Sequence, residues 1–384
     1  MARITSRGNR AILRLDAVLG GAGDADDDGR GADRSAGAPV TALAERPAAK
    51  EAPDRSSRVG WTVFVLALAA MAVIVLFSME TGLPEGSRLA NPDPGSAPYA
   101  FSPMAEAVPA SIVMSTLTIS LFGTLLWLSW KQHRMHWALI IAVGTLFTGL
   151  VDPIANWATF ASLNPETPHL PTTWPWFRHA PLTEPALSLL GGYSAYYVLS
   201  GFFLYWVTKK LLLARVTPSS WIGRHPLLSL YVGAWVLCVP FNALLQWQWM
   251  QAGTLVYTQF AGPVLHLGHV QLPFLILLYD PFVFATIALL CYRDDDNRSV
   301  VLTRLAKLLP GRQGHRRATS GRQVVVAGVL VVTSMLLPIG VFSVIRAAGL
   351  ADQPTYEKYP FPEARVYDPY GDLRRAGKPG PFVP

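Results

Sequence analysis

The sequence predicts an all-α fold: a polytopic transmembrane bundle of about seven helices, N-terminus in and C-terminus out. Three observations predict it. Of 384 residues, 51% are hydrophobic and only 15% charged, where a soluble domain carries about 25% charged residues. The charges lie between long apolar runs, and those runs reach the ~20 residues a helix needs to cross a bilayer core. Basic residues also concentrate in alternate connections between the runs.

In chain order, residues 1–58 are rich in Gly, Ala, Asp and Arg, with acids at Asp24, Asp26, Asp27 and Asp28. Such a segment buries too little apolar surface to offset its ordering entropy, so a disordered cytoplasmic tail is expected. The basic stretch 1–14 has no adequate apolar run after it, so it does not read as a secretory signal. Residues 59–346 form the expected transmembrane domain, with apolar runs at 61–79, 110–130, 137–160, 186–207, 226–250, 272–292 and 324–345. Residues 347–384 are Pro- and Tyr-rich and read as an extended C-terminal tail.

Orientation follows from the loops. Those after runs two, four and six carry Lys131 and Arg134, then Lys209, Lys210, Arg215 and Arg224, then an Arg-rich stretch from Arg293 to Arg322. The loops after runs one, three and five carry only Arg88 and Arg178. The positive-inside bias therefore places the former in the cytoplasm. The net charge of +7 is accounted for by these anchors and does not call for nucleic acid. Cys238 and Cys291 both sit in apolar runs and read as buried thiols, without metal-ligand spacing.

Ionisable residues inside membrane spans are costly and mark function. Run three holds Asp152-Pro153 followed by Asn156 and Trp157. Asp152 and Asn156 are four apart and share a helical face. Thr183-Glu184-Pro185 opens run four, whose next turns carry Tyr193, Tyr196 and Tyr197. Run five ends with Asn242 and Gln246, again four apart. Its following loop has Tyr257, His266 and His269, and run six carries Tyr279-Asp280-Pro281. Four runs thus place polar groups at similar depth near the outer face, which suggests one pocket with Asp152, Glu184 and Asp280 as its acids.

Structural uses compete with this reading. Glu184-Pro185 also suits a helix N-terminal cap. Asp152 and Asp280 also suit ties between helices, and Asn242 and Gln246 suit interhelical hydrogen bonding. Trp174 and Trp176 suit an interfacial belt. His266 and His269, with His179, have loose metal-like spacing, but no carboxylate nearby completes a site, and no metal is expected.

The stretch Val151-Asp152-Pro153 through Asn156-Trp157, the Pro- and Trp-rich loop after it, and Glu184-Pro185 before a Tyr-rich helix resemble the AveC-like spirocyclases. The tail residues Tyr356, Tyr359, Phe361 and Tyr367-Asp368 share the resemblance, which spans roughly residues 60–372. The family comprises actinobacterial membrane proteins of polyketide and macrolide antibiotic biosynthesis, and the Gly-, Ala- and Arg-rich composition agrees. One departure stands out: the resemblance leads one to expect an Asp and a Glu where this chain has Asn242 and Gln246.

The resemblance implies closure of a dihydroxy-ketone polyketide into a spiroketal, in some relatives with dehydration, without cofactor. One hydroxyl adds to the ketone, water leaves, and the second hydroxyl traps the oxocarbenium ion. That chemistry needs one carboxylic acid and one carboxylate. Asp152 and Glu184 are the expected pair, with Asp280 in reserve. Asn156, Asn242, Gln246 and Tyr193 would position hydroxyls, Trp157 and Tyr257 would line the wall, and His266 and His269 would contact substrate. The expected partners are a lipophilic polyketide and membrane lipid. The competing reading is a non-catalytic membrane protein that binds or exports a lipophilic metabolite.

Overall fold

The computed structural model describes residues 55–85, 87–90, 103–268, 270–309, 319–351, 353–354, 363, 365–378 and 382–383. Nearly all of the expected N-terminal tail, together with Tyr356, Tyr359 and Phe361, lies outside them.

The chain is mostly helical, and each of the seven apolar runs carries helix. The first two runs give α1 (Arg55–Ser78) and α2 (Pro103–Lys131). The third is broken into α3 (Trp137–Thr145) and α4 (Asp152–Ala158) by a 3-10 turn at Leu146–Leu150. The two halves are bent by 57°. Pro153 opens α4 because a proline in a first turn loses no hydrogen bond, whereas a continuous helix would meet its ring. After a short α5 (Ala186–Leu189), α6 (Gly192–Thr208) runs into a π turn at Lys209–Leu213. Next come α7 (Trp221–Arg224) and the long α8 (Pro226–Gln251). The sixth run is also broken, into α9 (Phe274–Tyr279) and α10 (Pro281–Leu290), with Asp280 at the joint. The final helices of the bundle are α11 (Val300–Ala306) and α12 (Ser320–Ala347).

Three helices, at Ile112–Lys131, Pro226–Gln251 and Ser320–Ala347, are long and apolar enough to cross a membrane. The broken pair α3–α4 makes a fourth if counted as one span. Their outward faces are apolar: Ile119 is 72% exposed, Leu244 61% and Leu337 66%. Water would not tolerate so much apolar surface, and lipid favours it. Lys131 lies over Trp127 and Lys210 over Trp206, which anchors the ends of α2 and α6 in the manner of an interfacial belt.

The core is built on α3 and α10. All nine residues of α3 are buried, against α12 and α6, while α10 is enclosed by α6, α8 and α12. Two glycines permit this spacing. A Cβ at Gly201 would lie 2.4 Å from Ile287 Cγ2, and one at Gly144 would lie 2.7 Å from Ala327 Cβ. Small residues at such crossings let backbones approach where no hydrophobic force drives helices together. Cys238 and Cys291 are both buried free thiols.

One end of the bundle is covered by short strands. β1 (Ala161–Leu163) pairs antiparallel with β2 (Leu255–Tyr257), and β4 (Val264–Leu267) with β5 (Val270–Pro273). The C-terminal tail joins this cover. β3 (Gln259–Phe260) pairs with β6 (Gln353–Pro354), and β7 (Val366–Tyr367) runs parallel to β8 (Phe382–Val383), with a last turn of helix, α13 (Asp372–Arg375), between them. Gln259 fastens the tail: its Nε2 donates to Ala351 O and Tyr367 O, and its Oε1 accepts from Tyr367 N.

Candidate functional site

Both chain breaks carry the dipeptide Asp-Pro, and both aspartates face one cavity of about 270 Å³. Each proline falls in the first turn of a helix, where it costs no hydrogen bond, and this sets the aspartate before it at the joint between two helical segments. Asp152 is 4% exposed. Its Oδ2 accepts from Asn156 Nδ2 at 2.6 Å and from Tyr193 OH at 2.7 Å. The buried carboxyl of Glu184 lies close enough to Asp152 to interact with it.

Asp280 faces a second polar group. Its Oδ2 accepts from Gln246 Nε2 at 2.5 Å, the Asn242 amide lies beside it, and Tyr257 OH donates to Gln246 Oε1 at 3.1 Å. Asn242 and Gln246 are buried and lie one helical turn apart, so α8 presents two amides to one carboxyl. The two acids are near enough to interact electrostatically, and Tyr197 lies within the field of both.

Between them the cavity wall is aromatic. The Tyr196 ring lies 5.2 Å from Tyr197 and 6.1 Å from Trp249, and Tyr193 is 5.8 Å from Tyr197. Tyr279 completes that side, its hydroxyl donating to Met335 O at 3.0 Å. The opposite wall is aliphatic, with Leu76 and Met79 from the end of α1, Met114 from α2, and Leu187 and Leu190. A polar acid pole thus meets an apolar wall contributed by the outermost helices, an arrangement suited to a mainly hydrocarbon ligand with a few oxygens.

Of the residues singled out from sequence, Asp152, Asn156, Tyr193, Gln246 and Asp280 line this cavity. Glu184 stands behind Asp152, Asn242 beside Asp280, and Tyr257 behind Gln246. Two expected contacts are not brought together with them, and a third is not described. Trp157 lines a different, smaller cavity, because neighbouring residues on a helix point about 100° apart and it cannot share the face of Asn156. His266 is exposed on the β4–β5 hairpin. His269 lies outside the described residues. Trp249 was missed, although its three-residue spacing from Gln246 puts it on the same face.

A tail residue also reaches the site from outside. Glu363, 2% exposed, accepts from Thr183 N and Thr183 Oγ1, both at 2.8 Å, and so clamps the residue next to Glu184. Burial pushes its carboxyl up to about 7, against the opposing pull of the Thr183 donors, Arg365 and Arg88. A carboxyl raised in the folded state stabilises it fully below the ordinary value of 4.5 and loses that contribution as pH rises to about 7. Tail docking is therefore expected to loosen between pH 4.5 and 7 by on the order of 3 kcal/mol. A spin label on Lys378→Cys should gain mobility over that window, and Glu363→Gln should flatten the response. An unchanged pH response in Glu363→Gln would assign it to another group.

Comparison with known protein families gives a match. The sequence pattern of a family described as Spirocyclase AveC-like matches residues 130–367, which contain both Asp-Pro breaks, Glu184 and the docked tail. No curated protein and no solved structure matches.

Proposed function

Because the chain belongs to the AveC-like spirocyclase family, we propose that it is a cofactor-independent membrane spirocyclase that closes a dihydroxy-ketone polyketide segment into a spiroketal. The observation that carries this reading is the pair of Asp-Pro breaks facing one aromatic cavity. The reaction needs a proton donor at one oxygen and a proton acceptor at another, with a cation held between them.

The Asp152–Glu184 pair supplies the donor. A hydrogen bond between two carboxyl groups contains one proton, so one member can release a proton while the other remains an anion. That proton goes to the hemiketal hydroxyl, which leaves as water. The resulting oxocarbenium ion is stabilised by the carboxylate across the cavity, Asp280, and by the faces of Tyr196 and Tyr197. The second hydroxyl attacks the cation, and its proton passes to Asp280. Asn156, Tyr193 and Gln246 hold the carboxyl oxygens in place, and the closed ring keeps every atom of the substrate except one water. Asn242 and Gln246 act as hydrogen-bond donors toward Asp280 in this scheme, so the departure from the expected Asp and Glu leaves three acids for the reaction. A cavity of about 270 Å³ is slightly below the usual ~300–1,000 Å³ of ligand pockets. It takes the reacting segment, and the rest of the polyketide lies along the aliphatic wall.

The same proposal includes a topology of seven spans, with the two broken runs and the shorter apolar helices crossing as bent or tilted elements. The basic ends of α2 and α6 then face the cytoplasm and the strand cover faces outward. Deleting the gene in its host and identifying what accumulates tests the function. An open-chain or hemiketal dihydroxy-ketone is expected; an unchanged metabolite profile refutes the cyclase reading.

A further inference from the structure

A second cavity, of about 70 Å³, lies under the tail between α4, β1 and the loop that carries Thr183. It is lined by Trp157, Ser162, Thr258, Arg346, Glu363 and Arg365, among others. Arg346 is only 6% exposed. Its guanidinium is packed among the rings of Phe160, Trp157 and Tyr367, at 4.3, 4.4 and 4.7 Å, and it donates one hydrogen bond, to Trp157 O. Its Nε has no hydrogen-bond partner, and no carboxylate among the described residues acts on it.

A buried guanidinium without a counter-ion is unfavourable, because rings and one carbonyl only partly replace its hydration. The same cavity holds a second unpartnered donor, the hydroxyl of Ser162, on a residue 2% exposed. Arg365 adds a second guanidinium from the tail, which also donates to Arg88 O at 2.7 Å and faces Glu363. Glu363 lines the same cavity, but its carboxyl is turned to Thr183 and its charge is set against Arg365 and Arg88. Three donors from separate chain segments therefore converge on a space that takes more than one water, with two cationic side chains against one acid.

We propose that this cavity binds a small oxyanion of the phosphate or carboxylate type, held by Arg346 Nε, Ser162 Oγ and the Arg365 guanidinium. The anion supplies the charge that Arg346 lacks and ties the tail to α4 and β1. Trp157, against which Arg346 is stacked, follows Asn156, a hydrogen-bond donor to Asp152, so an occupied site steadies the helix that carries the acid. Two sources offer this chemistry: a free anion, or the phosphate of a lipid headgroup at the membrane surface. The inference does not depend on the cyclase reading.

Thermal unfolding of the purified full chain tests it, in detergent at about pH 6, where the tail is still docked, with ionic strength held constant by chloride. Titration with inorganic phosphate, and separately with formate, is expected to raise Tm saturably. The apparent affinity should fall at least tenfold in Ser162→Ala and in Arg365→Gln, whose Tm without anion stays near that of the parent. Reconstitution into phosphatidylglycerol compared with phosphatidylcholine nanodiscs separates the sources. A rise in Tm only with phosphatidylglycerol, weakened by the same substitutions, identifies a headgroup phosphate as the ligand. No saturable rise with phosphate, formate or phosphatidylglycerol overturns the proposal, as does a rise of equal affinity in both variants.

Discussion

Asp152→Asn is expected to lower spiroketal formation by about 10²–10⁴-fold, the usual contribution of a positioned acid or base, while the protein inserts and accumulates normally. The substitution keeps the shape of the side chain. An amide oxygen still accepts from Asn156 Nδ2 and Tyr193 OH, the two partners of Asp152 Oδ2, so α4 and α6 remain tied. What disappears is the proton held with Glu184. Glu184→Gln should act in the same direction, because it breaks the same carboxyl pair. Initial rates on a synthetic dihydroxy-ketone, in membranes containing equal amounts of each variant, measure the effect. Parental rates in both variants would remove the pair from the mechanism. Loss of accumulation would instead make them structural ties.

Asp280→Asn is expected to cost a similar factor for a different reason. Asparagine preserves an acceptor for Gln246 Nε2, so the contact between α8 and the α9–α10 break survives. The charge facing the cation does not. In the scheme above, the Asp152 variant stops before water departs, whereas the Asp280 variant fails to stabilise the ion that follows. The two differ in a measurable way. Presenting the substrate as a mixed ketal whose leaving group departs as a stable anion without protonation should rescue Asp152→Asn and leave Asp280→Asn slow. Rescue of both, or of Asp280→Asn alone, contradicts this division of roles.

The acid site was legible in the sequence where helical geometry is local. Asp152 with Asn156, and Asn242 with Gln246, are each four residues apart, and a period of 3.6 places each pair on one face whatever the rest of the chain does. Membership of the family could be read from the same stretches. The strands were not legible, because elements of two to four residues are set by their partners across the fold and carry no period of their own. Nor was Glu363, which meets Thr183 from 180 residues away and has no neighbouring pattern to mark it. Trp157 shows the opposite fault: adjacency in sequence to Asn156 suggested a shared pocket, and the helix turned it elsewhere.

The close contacts of Gly201 with Ile287 and of Gly144 with Ala327 have a consequence for movement. Gly144 lies on α3, across the break from Asp152; Gly201 lies four to eight residues along α6 from Tyr197 and Tyr193, and Ile287 lies seven residues from Asp280. At 1.5 Å per residue these are roughly 6–12 Å. On that side the backbones have no slack. Helices held this tightly have less room to part there than toward the strand-covered end. Under the proposed function, a substrate then enters without the close contacts between α3 and α12 or between α6 and α10 having to open.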